Sequence, residues 1–449
     1  MAAACVAGCE TTPKNSATPT LPEQNAVAAT TTAPADPAKL GAKLNEQLMA
    51  AIERMSADDA KARDDAFVEV TQVLAKNARD VAYVQRVINT VQGQMTTRLT
   101  AMLTTDDEEA RARLCTALEF NEAFSTFCID MLEQPPELRQ TLLTWSGDPA
   151  NALLVGQVYS RNTDTRRDSA KRLSSLKSDE ADFLLARLLL DESREVSLMA
   201  VDAAESRMGS ERVLDAVWRK AVELPLEYQA LSYGGMGGLA RKSAYPMGQQ
   251  RMIQIRGRQI YLQDMRQYLY YNSVQDAWIA GDLLVEAKSP AVEKRLADLL
   301  RRLDQNRNDS GARFRPFLVN YNNGNDTLLR LCQTYKPKDF VPFLMRGVAL
   351  NSTEGYDTTI NGQKYRQSSR IELINLVVQF TEQDKDEYKL TRMASWGNRA
   401  LIAGSVKEEE DTAKKLLAWW RDNHKKYGVD ELKLEAEGPL RIGGSRFTP

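Results

Sequence analysis

Apolar residues recur three and four positions apart along most of this chain, the spacing of one face of an α-helix. Leu40, Leu44, Leu48, Ile52 and Met55 share such a face. Ser56, with Asp59 three residues on, resembles a capping box for a helix carrying Ala66, Val68, Val70 and Leu74. Val81 to Leu103 predicts a third helix. The acids at 106 to 109 suit the positive end of a fourth. Pro135-Pro136 and Asp148-Pro149 mark the next boundaries.

The clearest self-similarity sets 164–190 against 194–223. The first stretch pairs Arg166 to Leu176 with Glu180 to Leu190, and the second pairs Glu195 to Arg207 with Arg212 to Glu223. Ala170 and Ala200 hold corresponding places, and Ser178 and Ser210 are candidate N-caps. Val274 to Ala287 and Val292 to Leu303 predict a further pair, with Ser289 as cap and Pro290 at the first helical position. Stacked pairs bury one continuous core and present an extended binding surface rather than a reaction chamber. Two stretches break the helical period. Thr358 to Tyr365 predicts a hairpin, because Asn361-Gly362 accepts the positive φ angles of a type I′ turn. Ile253 to Leu262 alternates about Gly257 and predicts a second, weaker one.

Short helices with a small residue in the first and Asp or Ser at the intervening turn resemble HEAT or armadillo-type repeats. The C-terminal hundred residues carry Ile360-Asn361-Gly362-Gln363-Lys364-Tyr365, Ser369-Arg370-Ile371-Glu372-Leu373 and Leu416-Leu417-Ala418-Trp419-Trp420. These resemble the end of bacterial HEAT-like repeat lipoproteins of unsettled biochemical role. The resemblance implies an all-α fold, an α-solenoid of helical pairs with one or two inserted β-hairpins, and a location; it implies no activity. Amphipathic helices in another all-α arrangement are the alternative.

The N-terminus bears on location. Val6-Ala7-Gly8-Cys9 resembles a bacterial lipobox, which implies acylation at Cys9, although no basic stretch precedes it and only eight residues do. Residues 10–38 hold seven Thr, five Pro and seven Ala. Such a segment buries too little apolar surface to offset its ordering entropy, and behind a lipidated cysteine it reads as a tether. The expected regions are 1–38 (signal remnant and tether), 39–160 (N-terminal helical array), 161–305 (HEAT-like repeats with an inserted Tyr/Arg-rich loop) and 306–449 (C-terminal repeats, hairpin and closing helix).

Formal charge is −2, so no global pull toward nucleic acid or anionic lipid exists. A lone histidine, His424, argues against histidine-built zinc sites and Ser-His-Asp chemistry; its setting in a charged helical end suits a cation at the helix C-terminus. The five cysteines lack C-x-x-C spacing, and Cys115 and Cys128 sit in apolar helical contexts that predict buried thiols, with a disulfide between two adjacent helices as the secondary alternative. No catalytic residues, cofactor or metal ligands are expected. Residues 228–271 hold seven of the fifteen tyrosines, and 241–266 hold six bases against Asp264 alone. Tyrosine and arginine dominate binding hot spots, which makes Arg256, Arg258, Tyr261, Tyr268, Tyr270 and Tyr271 the candidate contacts for another protein. Gly235 to Ala240 fits G-x-G-x-x-A, but no convincing buried strand precedes it and Pro246 interrupts any helix after it. The leading expectation is a non-catalytic, protein-binding scaffold, lipid-anchored on the extracytoplasmic side with the outer membrane weakly favoured by Glu10. An enzyme or enzyme accessory of the HEAT-like lyase type, and a cytoplasmic nucleic-acid binder using 241–271, are the alternatives.

Overall fold

Short polar residues start one helix after another. In the computed structural model Asp59 receives the amide of Ala62 and opens α2 (Ala60–Lys76). Asp80, Asp107, Asp148, Asn162 and Ser178 likewise open α3 (Val81–Leu103), α4 (Glu108–Leu132), α6 (Pro149–Val158), α7 (Thr163–Ser175) and α8 (Asp179–Leu189). Each such cap satisfies amides that a first helical turn leaves free. α5 (Pro136–Ser146) begins on proline instead, whose missing N–H costs nothing there. Before these lies α1 (Pro37–Arg54); after them come α9 (Arg194–Ala204) and α10 (Glu211–Trp218), which runs on through a π-helical turn, Arg219–Glu223. The remaining α-helices among the described residues are α11 (Leu269–Ala287), α12 (Pro290–Gln305), α13 (Asp326–Tyr335), α14 (Phe340–Ala349), α15 (Ser369–Phe380) and α16 (Val406–Asn423).

The structure describes residues 37–227, 251–256, 258–262, 269–305, 317, 326–349, 355–392 and 400–429, with some side chains at segment edges outside the description. Among these the chain is mostly helical. Contacts divide it after Ala50, and residues 51–449 form one unit. Of the first unit only the start of α1 is described.

Within the larger unit a helix packs on its neighbour and on the next but one: α7 on α8 and α9, α8 on α10, α11 on α13, α12 on α14. Ala170 and Ala200, thirty residues apart in the repeat, are both wholly buried at these crossings. Phe67 meets Phe124 edge-on at 5.1 Å between ring centres, and Phe340 meets Phe380 at 4.7 Å. Full burial of such a side chain contributes about 1.5–3 kcal/mol. Ion pairs repeat the same next-but-one step. Arg167 of α7 reaches Glu195 of α9 at 3.2 Å, and Arg194 of α9 reaches Asp276 of α11 at 2.8 Å. Asp215 of α10 pairs with Arg295 of α12, and Asp282 of α11 with Arg330 of α13. Asp304 of α12 holds Arg346 of α14 at 2.7 Å.

Strands β1 (Arg251–Ile255) and β2 (Arg258–Leu262) form the expected second hairpin, with Arg256 at φ 48° in its turn. The first hairpin, β3 (Gly355–Ile360) and β4 (Gln363–Ser368), turns on Asn361 and Gly362 at φ 51° and 78°. It belongs to a four-stranded antiparallel sheet, in the order β3-β4-β6-β5, with β5 (Leu390–Arg392) and β6 (Ala400–Ala403). The all-α expectation is corrected to this extent: β4 exposes a second edge, and β6 pairs with it through Tyr365 and Arg366.

Three local expectations are also corrected. Ser56 does not cap α2; Asp59 does, and Ser56 receives the Asn121 amide at 2.7 Å. Ser210 stands at the N-cap of α10 without a side-chain hydrogen bond. Cys115 is exposed rather than buried, because none of residues 108–116 in α4 is buried; its thiol contacts the Met102 sulfur at 3.3 Å. Cys128 is buried as expected.

Candidate functional site

One stripe of α11 collects exposed and charged groups. Trp278, Asp282 and Glu286 follow at intervals of four, so they share a face. Trp278 is 42% exposed, although most neighbouring residues of α11 are buried. The guanidinium of Arg330, from α13, lies 5.8 Å from the Trp278 ring centre and pairs with Asp282. Four residues on, Glu286 binds Arg256 at 2.5 Å. The indole offers apolar area there, and the neighbouring guanidinium, held by Asp282, adds a flat cation beside it.

Arg256 is thus the sequence-predicted residue that the structure brings to this stripe. Its second carboxylate is Glu205, at the end of α9, 3.2 Å away. Ile255 beside it is wholly buried and β1 packs on α9, so burial and two ion pairs hold the turn of the hairpin to the helices. Arg258 and Tyr261 lie on β2, and Tyr270 and Tyr271 lie in the first turn of α11 rather than in a loop; the side chains of all four fall outside the described residues. Tyr268, Cys9 and the glycine segment 235–240 also lie outside them. Trp278 and Arg330 carried no sequence signal, being 52 positions apart in stretches of otherwise ordinary helical pattern.

A second grouping is buried. Lys220, on the π turn after α10, donates to the Ser197 hydroxyl at 2.5 Å and lies 3.8 Å from Asp276. Ser197 donates onward to the Leu189 carbonyl at 2.6 Å. A lysine beside a serine is the pairing of some hydrolases, and π turns often accompany function. Here the serine hydrogen is committed to a carbonyl and its oxygen accepts from the lysine, so the lysine acts as donor, not as base. Burial holds the Lys220 ammonium below its ordinary value, and Asp276 opposes that shift. Ser197 is 1% exposed, out of reach of a substrate. The grouping joins α9, α10 and α11 and does not form a reactive centre.

Among the described residues no cluster of three or more His, Cys, Asp or Glu could hold a metal ion, and no helix is long and apolar enough to cross a membrane. His424 ends α16, its Nδ1 2.5 Å from the Val429 carbonyl. Comparison with family models, with curated proteins and with solved structures found no match to this chain.

Proposed function

We propose that this chain is a non-catalytic, protein-binding α-solenoid of HEAT-like helical pairs, lipid-anchored through Cys9 on the extracytoplasmic side of a bacterial membrane. The observation that carries the binding half is Trp278, exposed on α11 and flanked by Arg330. The solenoid is supported by packing and ion pairs that repeat every second helix from α7 to α14, since a linear array contacts itself only through near neighbours. The anchor rests on Val6-Ala7-Gly8-Cys9 and the Thr/Pro/Ala segment behind it. A polyanion-binding role is disfavoured, because Arg256 is already held by two carboxylates.

The test is a photoreactive amino acid placed at position 278 of the full chain in living cells. A discrete protein adduct that vanishes when Arg330 becomes Glu supports the proposal; adducts indifferent to that change, or none, refute it. Fatty-acid labelling of the wild type and of Cys9→Ala tests the anchor separately. Equal labelling of the two would remove it.

A further inference from the structure

α3 packs chiefly on α4, and one side of it goes into the core: Tyr83, Val84, Val87, Ile88 and Val91 are buried. Met95, Arg98 and Met102 continue that side, half-buried. The opposite side steps by three and four from Arg86 through Asn89, Gly93, Thr96 and Thr100 to Leu103, and all six are exposed. Leu99 beside them is 44% exposed and Leu103 80%. A Cβ at Gly93 would meet nothing within 4 Å.

The solvent side of a surface helix is ordinarily charged. Between residues 85 and 104 the exposed positions carry one charge, Arg86, over a rise of about 28 Å. The polar groups between are largely satisfied within the helix. The hydroxyls of Thr96, Thr97 and Thr100 each donate to a carbonyl one turn back at 3.1 Å, and the Gln85 amide donates to Asn89 at 3.1 Å. Covering this side therefore strands few donors and costs little desolvation.

Charge gathers at its two ends, with opposite sign. Arg86 lies 5.6 Å from the Tyr83 ring centre and, among the described residues, has no carboxylate partner. Asp106 and Glu108, at the turn into α4, have no base among the described residues. An identical helix laid parallel would set arginine on arginine and acid on acid. Laid antiparallel about Thr96, midway between Arg86 and Asp106, it sets each arginine against the other copy's acids. Gly93, Thr96 and Thr100 then let the two backbones come close at the crossing. The surface is thus complementary in charge to itself, and its neutral middle offers a foreign partner no charge to read.

We propose that two copies of this chain pair through the outer side of α3, antiparallel, about a two-fold axis at Thr96. The contact is separate from the Trp278 surface, so either stands without the other. Two helices of this length bury on the order of 1,000 Å² in total, the lower bound for a specific interface, so the dimer is reversible with a Kd on the order of micromolar.

Sedimentation velocity on the full chain, from about 1 to about 100 μM, should show monomer passing to dimer. Gly93→Glu adds a charge where the space is open and folding is not at stake, and should weaken the dimer by at least about tenfold. Arg86→Glu alone, or Asp106→Arg with Glu108→Arg, should weaken it by about tenfold, and the three changes together should restore it. Thermal melts check that each variant is folded. Register is read by trapping: in a chain carrying Cys5→Ser, Cys9→Ser and Cys115→Ser, Thr96→Cys should oxidise to a covalent dimer with copper phenanthroline faster than Lys171→Cys, exposed on α7. A chain monomeric throughout, a dimer indifferent to Gly93→Glu, or charge reversals that the triple change does not rescue would overturn the proposal. So would trapping at position 96 no faster than at 171. If the surface instead serves a different protein, the purified chain stays monomeric and the dimer is refuted, with the Trp278 proposal untouched.

Discussion

Glu409 offers the sharpest test of how this fold is held. Its carboxylate is 1% exposed, accepts from Arg366 Nε at 2.5 Å and from the Ser368 hydroxyl at 2.9 Å, and so ties α16 to β4 and to the start of α15. Arg366 is 3% exposed, and its other carboxylate, Asp357 at 2.9 Å, is half exposed. Glu409→Ala therefore strands a buried guanidinium on one solvent-screened partner. Breaking a buried pair from one side costs about 3–5 kcal/mol. The residual Asp357 contact lowers that figure, and the orphaned Ser368 hydroxyl adds about 1 kcal/mol, for a net loss of roughly 3–4 kcal/mol. Urea unfolding followed by tryptophan fluorescence measures it, because Trp420 on α16 is fully buried and reports on that helix. The second arm, Arg366→Met with Glu409→Leu, removes both charges and should recover most of the loss. A single variant within about 1 kcal/mol of wild type, or a double variant no better than the single, would refute the argument.

Three further outcomes are expected from the geometry. The amide and hydroxyl of Ser405 both donate to Glu408 at 2.8 Å and hold its carboxyl at about 2, against an ordinary 4.5. A depressed carboxyl stabilises the fold above its ordinary value, and that contribution is lost as pH falls from about 4.5 through about 2; Glu408→Gln should flatten the acid limb of thermal melts in that window. In a Cys5→Ser, Cys9→Ser chain, a thiol reagent should label Cys115 without denaturant, and Cys128 and Cys332 only after unfolding. Both of the latter are buried with their thiols pushed up by burial, so native labelling of Cys332 at the rate of Cys115 would contradict the packing. Finally, a Cβ on Gly281 would stand 2.4 Å from the Thr327 methyl, itself buried between α11 and α13. Gly281→Ala should lose about 1–2 kcal/mol, overpacking outweighing the gain in helix propensity, and Thr327→Ser should restore it in melting experiments.

Much of the helical framework was legible because it is periodic and punctuated. Ser178, Ser289 and Pro290 start helices where the pattern placed them, and Asn361-Gly362 turns the hairpin as its chemistry requires. β5 and β6 were not, since three or four residues carry no readable period, and β6, on which β5 pairs, finds its other partner β4 far back along the chain. Charges in the core were partly legible. Glu409 stands in a run of four acids that reads as helix-end decoration, yet it falls on the stripe of Thr412, Ala413, Leu416 and Trp420, all buried. Glu180 likewise precedes Leu184 and Leu188 by whole turns. A charged residue in register with a buried stripe is the available signal. What it cannot supply is the partner, because Asp276 lies 82 positions from Arg194 and only packing joins them. The proposed binding stripe on α11 was missed for the converse reason: Trp278 breaks the pattern of its helix, and a single exposed tryptophan is ordinary in sequence.

The distinction between a charge that holds the fold and one that serves binding lies in what it meets. Arg194 and Asp276 are removed from water together, and their mutual attraction offsets most of the desolvation, so the pair adds little net stability while linking α9 to α11 in one register. Arg166 and Asp191 do the same at 2.8 Å, with Asp191 also receiving the Ser193 amide at the start of α9. Arg330 likewise belongs to the fold through its charge, since Asp282 already pairs with it, and only its flat face beside Trp278 is left for the proposed binding surface.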